Sequence, residues 1–453
     1  MIVSFSVSNF RSFSSEETIS LVASKRLAGN HDAHAVPIPD SNERVLRTAV
    51  LYGANGAGKS NLFNALRYLK SVALEPRQKS AGTGRERFRF AATESEPSCF
   101  DLQFVAGNRL YRFGFKVDDE RFIEEWLYLV SDRQKSIYGR ATDDHGKVVV
   151  EAHGLKTTDA KLAALATVGG PQNQTFLATV NATLEGADFG EHLGGVLTWF
   201  KDSLMMINPD ESFGALGSLI DRDPGFRSFA SAFLRSASTG VDHLEVQKKG
   251  VTQDEFHRLA LDLPMRIIRE RALDKGDIGP IKLGDGSELL AERRGEYHMY
   301  QLNIQAAHEH EPGKVVRLNL ADESDGTRRL LNLIPALYHL RTSGAVYVID
   351  EIDRSLHPIL VKEFLDFFLK QGGGGQIIVT THESNLLDQE LLRRDEIWFA
   401  EKDQTGATRL YSLLDFKVRN DLEIRKHYLQ GRFGAVPFLG DLESLLSKPD
   451  QPA

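Results

Sequence analysis

The segment Thr48-Ala49-Val50-Leu51-Tyr52-Gly53-Ala54-Asn55-Gly56-Ala57-Gly58-Lys59-Ser60-Asn61 decides the fold. Its first five residues are mostly apolar and predict a short, buried parallel strand. The residues that follow it, 61–71, place Leu62, Leu66 and Leu69 on one side at helical spacing. A glycine-rich loop between a strand and a helix is the context in which a phosphate-binding loop occurs.

The glycine-rich loop itself has the composition that phosphate binding requires. Residues 53–60 match G-x-x-x-x-G-K-[ST] at every defined position. Glycines let the backbone fold around phosphates with its N–H groups pointing inward, and the helix N-terminus adds its dipole. We expect Lys59 to reach the β- and γ-phosphates and Ser60 to ligate magnesium. The predicted nucleotide-binding residues of this segment are Gly53, Ala54, Asn55, Gly56, Ala57, Gly58, Lys59, Ser60 and Asn61.

A second apolar strand, residues 345–349, runs into Asp350 and Glu351. Two adjacent carboxylates at the end of a buried strand are costly unless a cation and a water use them. We expect Asp350 to hold magnesium through water and Glu351 to polarise the attacking water. An ordinary strand end is the alternative interpretation, and the phosphate loop elsewhere in the chain disfavours it.

A third strand, residues 376–380, is followed by Thr381 and His382. A histidine that follows a buried strand, about thirty residues after the acidic pair, is suited to sense a γ-phosphate. A lone histidine is more often structural, which is the alternative here. We predict His382 as a catalytic residue together with Lys59 and Glu351.

Length and composition set the limits of what the chain can be. The 453 residues predict two or three domains, and 41% hydrophobic with 26% charged residues is normal for a globular protein. The single cysteine, Cys99, excludes an internal disulfide and a cysteine-based zinc site and favours a reducing compartment. Neither a signal-peptide pattern nor a run of about 18 apolar residues occurs, so we expect a cytoplasmic protein without a membrane span.

The charge balance leaves contact with nucleic acid open. A net charge of −8 is not typical of a general nucleic-acid binder, although a local basic patch can still contact one. The arginines at 266, 269 and 271 are spaced for one helical face. A loop over 76–89 is also basic, and a solvated loop is its favoured interpretation over a phosphate-backbone contact. Its cationic residues are Arg77, Lys79, Arg85, Arg87 and Arg89.

Patterns outside the motifs predict an α/β fold. Residues 2–10 alternate with period two and predict an edge strand, and alternation over 88–130 predicts an antiparallel meander. Helix and strand alternate over 321–415, which is typical of a wound parallel sheet. We expect a P-loop head of mixed and parallel sheet flanked by helices, with a helical or mixed insertion. The expected domains are 1–185 and 281–453 for the two halves of the head, and 186–280 for the mainly helical insertion.

Several segments together resemble a known family of ATPases. The chain is similar to AAA15/AAA21-type ATPases, which are ABC-like heads related to SMC, Rad50, RecF and OLD proteins. The resemblance covers both ends of the chain, about half its length. The segments that carry it are SNFRSF (8–13), GANGAGKSN (53–61), ESDGTRRL (323–330), IDEIDRSLHP (349–358), TTHES (380–384) and YLQGRFGAVP (428–437).

The segment 323–330 looks like the signature motif of these heads. Ser324, Gly326 and Thr327 precede a helical run over 328–340, and a helix start with a serine is an anion site. The resemblance implies that this helix start binds the γ-phosphate held by another subunit, in a homodimer or higher oligomer. A capped helix without a ligand is one alternative. An AAA+ ring, in which Arg328 or Arg329 supplies the charge in trans, is another.

The resemblance implies an ATPase that uses ATP and Mg²⁺ as a switch or sensor. It also implies a separate effector protein, such as a nuclease or toxin, and a role in anti-phage defence. The 71 residues after His382 are too few for an appended Toprim-type nuclease. The alternatives are a DNA-binding head of the repair type, related to RecF and Rad50, and a nucleotide sensor with little turnover. The glutamine of the Q-loop stays open between Gln172 and Gln174.

Overall fold

The computed structural model describes residues 1–78, 80–90, 96–152, 154–155, 160–210, 213–259, 278–283, 286–294, 296–311, 313–341, 343–417 and 422–436. The chain divides into two compact units. Unit 1 comprises residues 1–206, 343–352 and 369–453, and unit 2 comprises residues 207–342 and 353–368. Among the helices in these ranges, none is long and apolar enough to cross a membrane.

The strands, in chain order, are β1 (Ile2–Ser8), β2 (Glu17–Ser20), β3 (Ala35–Pro37), β4 (Arg44–Leu46), β5 (Thr48–Tyr52), β6 (Ser98–Ala106), β7 (Arg109–Val117), β8 (Phe122–Val130), β9 (Gln134–Thr142), β10 (Val148–Glu151), β11 (Leu204–Ile207), β12 (His243–Val251), β13 (Ile278–Lys282), β14 (Glu288–Arg294), β15 (Glu296–Glu311), β16 (Lys314–Asn319), β17 (Val346–Ile349), β18 (Gln376–Thr380), β19 (Ile397–Lys402) and β20 (Thr408–Ser412).

The α-helices, in the same order, are α1 (Lys59–Leu74), α2 (Ala160–Val168), α3 (Phe176–Thr183), α4 (Gly190–Thr198), α5 (Leu216–Arg222), α6 (Pro224–Ser236), α7 (Gln253–Leu259), α8 (Asp325–Leu340), α9 (Pro358–Lys370) and α10 (Ile424–Leu429).

Unit 1 contains an antiparallel sheet in the order β10-β9-β8-β7-β6-β1-β2, as far as the described residues show it. The meander predicted over 88–130 is therefore confirmed, and β6 alternates buried and half-buried residues along its length. The prediction that residues 2–10 form an edge strand is wrong, because β1 pairs with β6 on one side and with β2 on the other. The short strand β2 follows a tight turn and covers the edge that β1 would otherwise expose.

The second sheet of unit 1 has the order β11-β17-β18-β5-β19-β20 within the described ranges. β5 pairs in parallel with β18 and β19, and β17 pairs in parallel with β18. All five residues of β5 are buried, as the apolar run predicts. Parallel strands end at the same edge of a sheet, so the residues after β5, β17 and β18 are brought to one edge.

Helix α1 starts at the lysine of the phosphate loop and packs by one face. Leu62, Leu66 and Leu69 are at most 3% exposed, which confirms the stripe predicted from their spacing. These leucines share one apolar core with residues of both sheets of unit 1. Burial of this face fixes the direction of α1, and therefore the position of its first turn beside the end of β5.

Unit 2 is built on a third sheet with the order β12-β15-β14-β13, to which β16 adds beside β15, in the part of the unit that the structure describes. Helices α5, α6 and α8 contribute apolar residues to the core that covers it. Helix α6 begins at Pro224, where Asp223 caps it by accepting a hydrogen bond from the N–H of Phe226.

The two units do not follow the domain boundaries expected from the sequence. Unit 1 extends to residue 206 instead of 185, and residues 281–342 belong with 207–280 instead of with the C-terminal half of the head. The physical reason is strand pairing, since β12 pairs with β15 over nine residues and β14 pairs with β15. The segment expected to be mainly helical thus contains β12 and the start of β13.

Candidate nucleotide-binding site

The loop after β5 needs glycine for two different physical reasons. Gly56 and Gly58 have φ angles of +77° and +107°, a left-handed region that L side chains rarely adopt. Gly53 has no such angle, but a Cβ there would lie 2.5 Å from the carbonyl oxygen of Ala400 in β19. The loop is therefore pressed against the neighbouring strand at its start and turns sharply at its end.

Lys59 lies beneath this loop and is only 5% exposed. Its Nζ donates hydrogen bonds to the carbonyl oxygens of Gly53, at 2.8 Å, and Ala54, at 3.2 Å. The Nδ1 atom of His382 lies 3.4 Å from the same Nζ. The ammonium group is thus held against the backbone at the start of the loop, beside the histidine that follows β18.

The two acids predicted as a pair are organised by the neighbouring strand. Ile349 pairs with Val379, so the next residues, Asp350 and Thr380, lie side by side. The Thr380 hydroxyl donates a short hydrogen bond to Oδ1 of Asp350 and accepts one of 2.8 Å from the N–H of Glu351. One hydroxyl group therefore holds both the carboxylate of Asp350 and the backbone of Glu351.

Glu351 has a φ of +46°, which is uncommon for a residue with a side chain. Unusual backbone conformations of this kind persist where the surroundings hold them, and they cluster at functional sites. The hydrogen bond from its N–H to Thr380 supplies part of that support. The left-handed turn redirects the chain immediately after the buried Asp350.

Sequence reasoning assigned no role to Thr380. A threonine at the last position of an apolar strand has no local signal that separates it from an ordinary strand residue. Its role depends on the register between β17 and β18, which the sequence does not reveal.

The site brings together the catalytic residues predicted from three separate stretches of sequence. The parallel register places Thr380 opposite Leu51, and the N–H of Thr381 donates to the carbonyl oxygen of Leu51. The ends of β5 and β18 are thus adjacent, and the end of β17 is adjacent to β18. Lys59, Asp350, Glu351 and His382 follow these three ends.

The oxygen donors at this edge fit magnesium. Asp350 is 5% exposed and supplies a carboxylate, and Ser60, the second residue of α1, supplies a hydroxyl. Magnesium is usually held by one or two carboxylates together with phosphate oxygens and waters. In the described ranges no group of three or more His, Cys, Asp or Glu side chains forms a metal cage. This donor set therefore suits a metal that binds together with a nucleotide.

Ser324 lies in unit 2 and is the N-cap of α8. Its Oγ accepts a hydrogen bond of 3.1 Å from the N–H of Thr327 and lies 2.9 Å from the Thr327 hydroxyl. The helix therefore begins at Asp325, three residues before the predicted run over 328–340. The cap also satisfies one of the N–H groups that we expected to be available for an anion. Gly326 lies close to other backbone, since a Cβ there would be 3.0 Å from the carbonyl oxygen of Ser355.

The arginines considered for other roles have structural partners. Arg329 is 4% exposed, with Nη1 lying 3.4 Å from the carbonyl oxygen of Asn208, so it is poorly placed to act in trans. Arg328 is more exposed and pairs with Asp325. Arg85 is buried and pairs with Asp119 at 2.6 Å, which contradicts both a solvated and a nucleic-acid-binding interpretation for that residue. Lys79 and residues 266, 269 and 271 lie outside the described residues.

The two glutamines considered for the Q-loop lie far from the phosphate loop. Gln174 is 5% exposed, and its Oε1 accepts a 2.7 Å hydrogen bond from the N–H of Arg77, just beyond the C-terminal end of α1. The phosphate loop lies at the other end of this 16-residue helix, about 24 Å away. The carbonyl oxygen of Gln172 accepts from the N–H of Phe122 in the same region.

Cys99 is half-buried in β6. Burial, followed by the nearby carboxylate of Asp101, raises the pKa of its thiol to about 11. The thiol is therefore protonated at neutral pH and is a poor nucleophile.

The fold and the site define a protein of the P-loop class, with a glycine-rich loop between a buried parallel strand and a helix. A family model described as "AAA domain, putative AbiEii toxin, Type IV TA system" matches residues 49–150 and 227–388, more than half of the chain. The chain belongs to this family of AAA domains.

Two solved structures are similar to most of the chain. They are an SMC head bound to the C-terminal winged-helix domain of ScpA, at 14% identity, and the SMC head domain from Thermotoga maritima, at 13% identity. Each alignment covers 91% of this chain, and 97% and 98% of the respective SMC chains, with a TM-score of 0.37. Likeness at this level carries no functional information. None of the curated proteins matches the chain.

Replacing Lys59 by alanine is expected to weaken ATP binding at least about tenfold. The change removes a charge-assisted contact to the phosphates in a desolvated loop. Isothermal titration with ATP in the presence of Mg²⁺ measures the effect on the folded variant.

The matched control is Lys70→Ala. Lys70 lies on the same helix, about 16 Å further along its axis, and its Nζ donates to the carbonyl oxygen of Leu204. This variant is expected to bind ATP like the unmodified protein. An unchanged ATP affinity in folded Lys59→Ala contradicts the assignment of the phosphate loop.

Proposed function

We propose that this protein hydrolyses ATP and uses the reaction as a conformational switch. The observation that carries the proposal is the meeting of Lys59, the Asp350–Glu351 pair and His382 at one edge of the parallel sheet. A lysine suits phosphate binding, and a carboxylate near it suits activation of water. A protein that only senses nucleotide has no use for a second acid in a left-handed turn.

Each residue has a distinct role in the proposed reaction. The loop 53–60 binds the phosphates through its N–H groups, and Lys59 neutralises negative charge on the β- and γ-phosphates. Ser60 and Asp350 are the residues that would hold Mg²⁺, which neutralises charge on the phosphates when it is bound. Glu351 orients the attacking water and accepts its proton, and His382 contacts the γ-phosphate from the side of β18.

Replacing Glu351 by glutamine is expected to lower the turnover number at least about a hundredfold while ATP affinity stays within a few-fold. Glutamine keeps the size of the side chain and its N–H bond to Thr380, but it cannot accept the proton. Release of phosphate at saturating ATP, together with a separate titration of ATP binding, measures both quantities.

Glu363→Gln is the control for this change. Glu363 is an exposed acid on α9, and its variant is expected to keep normal turnover. Normal phosphate release by Glu351→Gln would place the activation of water on another residue.

We further propose that the complete site is shared between two subunits, with Ser324 supplied by the second one. A phosphate loop covers one side of a triphosphate, and the start of α8 carries a serine and small residues suited to contact an anion. The support is weaker than for the loop, because the cap already uses the N–H of Thr327. The proposed assembly is a closed oligomer, at minimum a two-fold dimer, which ATP stabilises and hydrolysis releases.

A mixture of two inactive variants, Lys59→Ala and Ser324→Arg, tests the shared site. In a mixed dimer one site carries both changes and the other carries neither, so ATP hydrolysis is expected to recover partly. At equal concentrations and free exchange, half of the dimers are mixed and each has one intact site, so the expected activity is about a quarter of normal.

A mixture of Lys59→Ala with Glu351→Gln is the matched control. In the proposed arrangement Lys59 and Glu351 of one site come from the same subunit. Each site of the mixed dimer therefore carries one of the two changes, and activity is expected to stay absent. Subunit exchange is checked with differently labelled protomers. If exchange occurs and both mixtures remain inactive, the site is not shared.

We propose that the switch acts on a separate effector protein, such as a nuclease or toxin, in anti-phage defence and in the cytoplasm. The description of the family names a toxin and a toxin–antitoxin system, which supports a partner of this kind. Purification of the tagged protein from its host is expected to retain a second chain in stoichiometric amount, and less of it with Lys59→Ala. Recovery of the protein alone under both conditions contradicts the proposal.

A DNA-binding head of the repair type is the second function considered. The basic loop was its main support, and Arg85 in that loop is engaged with Asp119. Within the described residues, no observation favours this function over the first.

A further inference from the structure

We propose that Thr408 and Ser12 are positioning residues that orient the N–H of Gly58 in the phosphate loop. The proposal rests on the ATP-binding function proposed above. Both residues lie outside the loop motif, Ser12 in the turn after β1 and Thr408 at the start of β20. Ser12 is 4% exposed and Thr408 is 1% exposed. Ala57, the loop residue before Gly58, is 5% exposed.

A chain of hydrogen bonds connects these residues to the loop. Oγ1 of Thr408 donates to the carbonyl oxygen of Ala57 at 2.9 Å and lies 2.7 Å from Oγ of Ser12. Nδ2 of Asn61 donates to the same Ser12 Oγ at 2.8 Å. A hydroxyl group has one proton, so when Thr408 donates to Ala57 its contact with Ser12 is satisfied by the Ser12 proton.

A backbone hydrogen bond fixes the two segments against each other. The N–H of Thr408 donates to the carbonyl oxygen of Ser12 at 2.7 Å. The hydroxyl groups therefore meet in a position that the backbone already determines. Two segments that are distant in sequence thus meet beside the loop, and one of them supplies the hydroxyl that contacts the Ala57 carbonyl group.

Holding the Ala57 carbonyl determines where the Gly58 N–H points. The peptide unit between Ala57 and Gly58 is planar and trans, so its C=O and N–H point in opposite directions. With the oxygen held outward by Thr408, the N–H faces the inside of the loop, where the backbone N–H groups of such loops contact the α- and β-phosphates. The Thr408 hydroxyl thus prepares a phosphate contact without touching the nucleotide.

Glycine is the residue that fits at position 58 beside the Thr408 and Ser12 hydroxyl groups. Its φ of +107° already favours glycine, and a Cβ on it would collide with the Thr408 hydroxyl and lie 2.9 Å from Ser12 Oγ. The close approach leaves no room for a side chain.

The test replaces Thr408 by valine, which keeps the branched shape and removes the hydroxyl. We expect the affinity for both ATP and ADP to fall about tenfold, because the α- and β-phosphates are common to the two nucleotides. The turnover number at saturating ATP is expected to stay within about twofold, since Glu351 is untouched. Thr408→Ser restores the hydroxyl and is expected to restore the affinity.

The matched control is Thr48→Val. Thr48 is fully buried in β5, and its Oγ1 donates to the carbonyl oxygen of Ile377 at 3.0 Å. It lies at the opposite end of the strand from the loop, about 15 Å away. This variant loses the same kind of hydrogen bond and is expected to bind nucleotides normally. An equal loss of affinity in both variants means that the effect is one of stability, which overturns the proposal.

Other outcomes are equally decisive. Normal affinity in folded Thr408→Val overturns the proposal, and so does a loss that Thr408→Ser does not restore. If Thr408→Val does not fold, Ser12→Ala decides, with an expected loss of about threefold, and normal affinity in that variant overturns the proposal. If the unmodified protein itself binds neither ATP nor ADP, the proposed function has failed instead.

Discussion

Parallel pairing of β18 between β5 and β17 is the constraint on which the site depends. The three strands come from residues 48–52, 346–349 and 376–380, and the site residues follow directly after them or lie in the loop that leaves β5. Because their ends coincide at one edge, a lysine, two acids and a histidine come together without any long loop. All residues of these three strands are buried, and their packing holds the register, so the geometry of the candidate site follows from packing outside it.

The position of Asp350 at the end of β17 has a free-energy cost. Asp350 is a buried acid, and burial of a carboxylate is unfavourable unless partners compensate for the lost water. The Thr380 hydroxyl is one such partner, and a bound magnesium ion would be a stronger one. The chain leaves unit 1 directly after Ile352 and continues in unit 2 at Asp353.

The elements of the site could be predicted because their signals are local. The strand–loop–helix at residues 48–74 and the strands before Asp350 and His382 each carry their pattern within one continuous stretch of the chain. The features that the sequence does not predict correctly depend on contacts between residues that are distant in the chain. The alternation of residues 2–10 indicates an edge strand because the covering strand β2 is only four residues long and gives little signal. The expected domain boundaries differ from the two units because β12 and β15, which are distant in sequence, pair from His243 with Ala307 to Val251 with Met299. Arg85 was interpreted from its basic neighbours, whereas its partner Asp119 lies in another loop.

The roles of the hydroxyl residues are the features of this site that are hardest to predict from a single sequence. Thr380 and Thr408 stand at the end and the start of ordinary strands, where threonine is common for reasons of backbone preference alone. Each acquires a specific role only because another segment of the chain places a carboxylate or a backbone carbonyl group within hydrogen-bond distance. A hydroxyl can donate and accept at once, so it can fix two groups relative to each other in a space too small for an amide or a charge. Lys59, Asp350, Glu351 and His382 are the candidate chemical groups of this site, and we infer that neighbouring hydroxyl groups set its geometry.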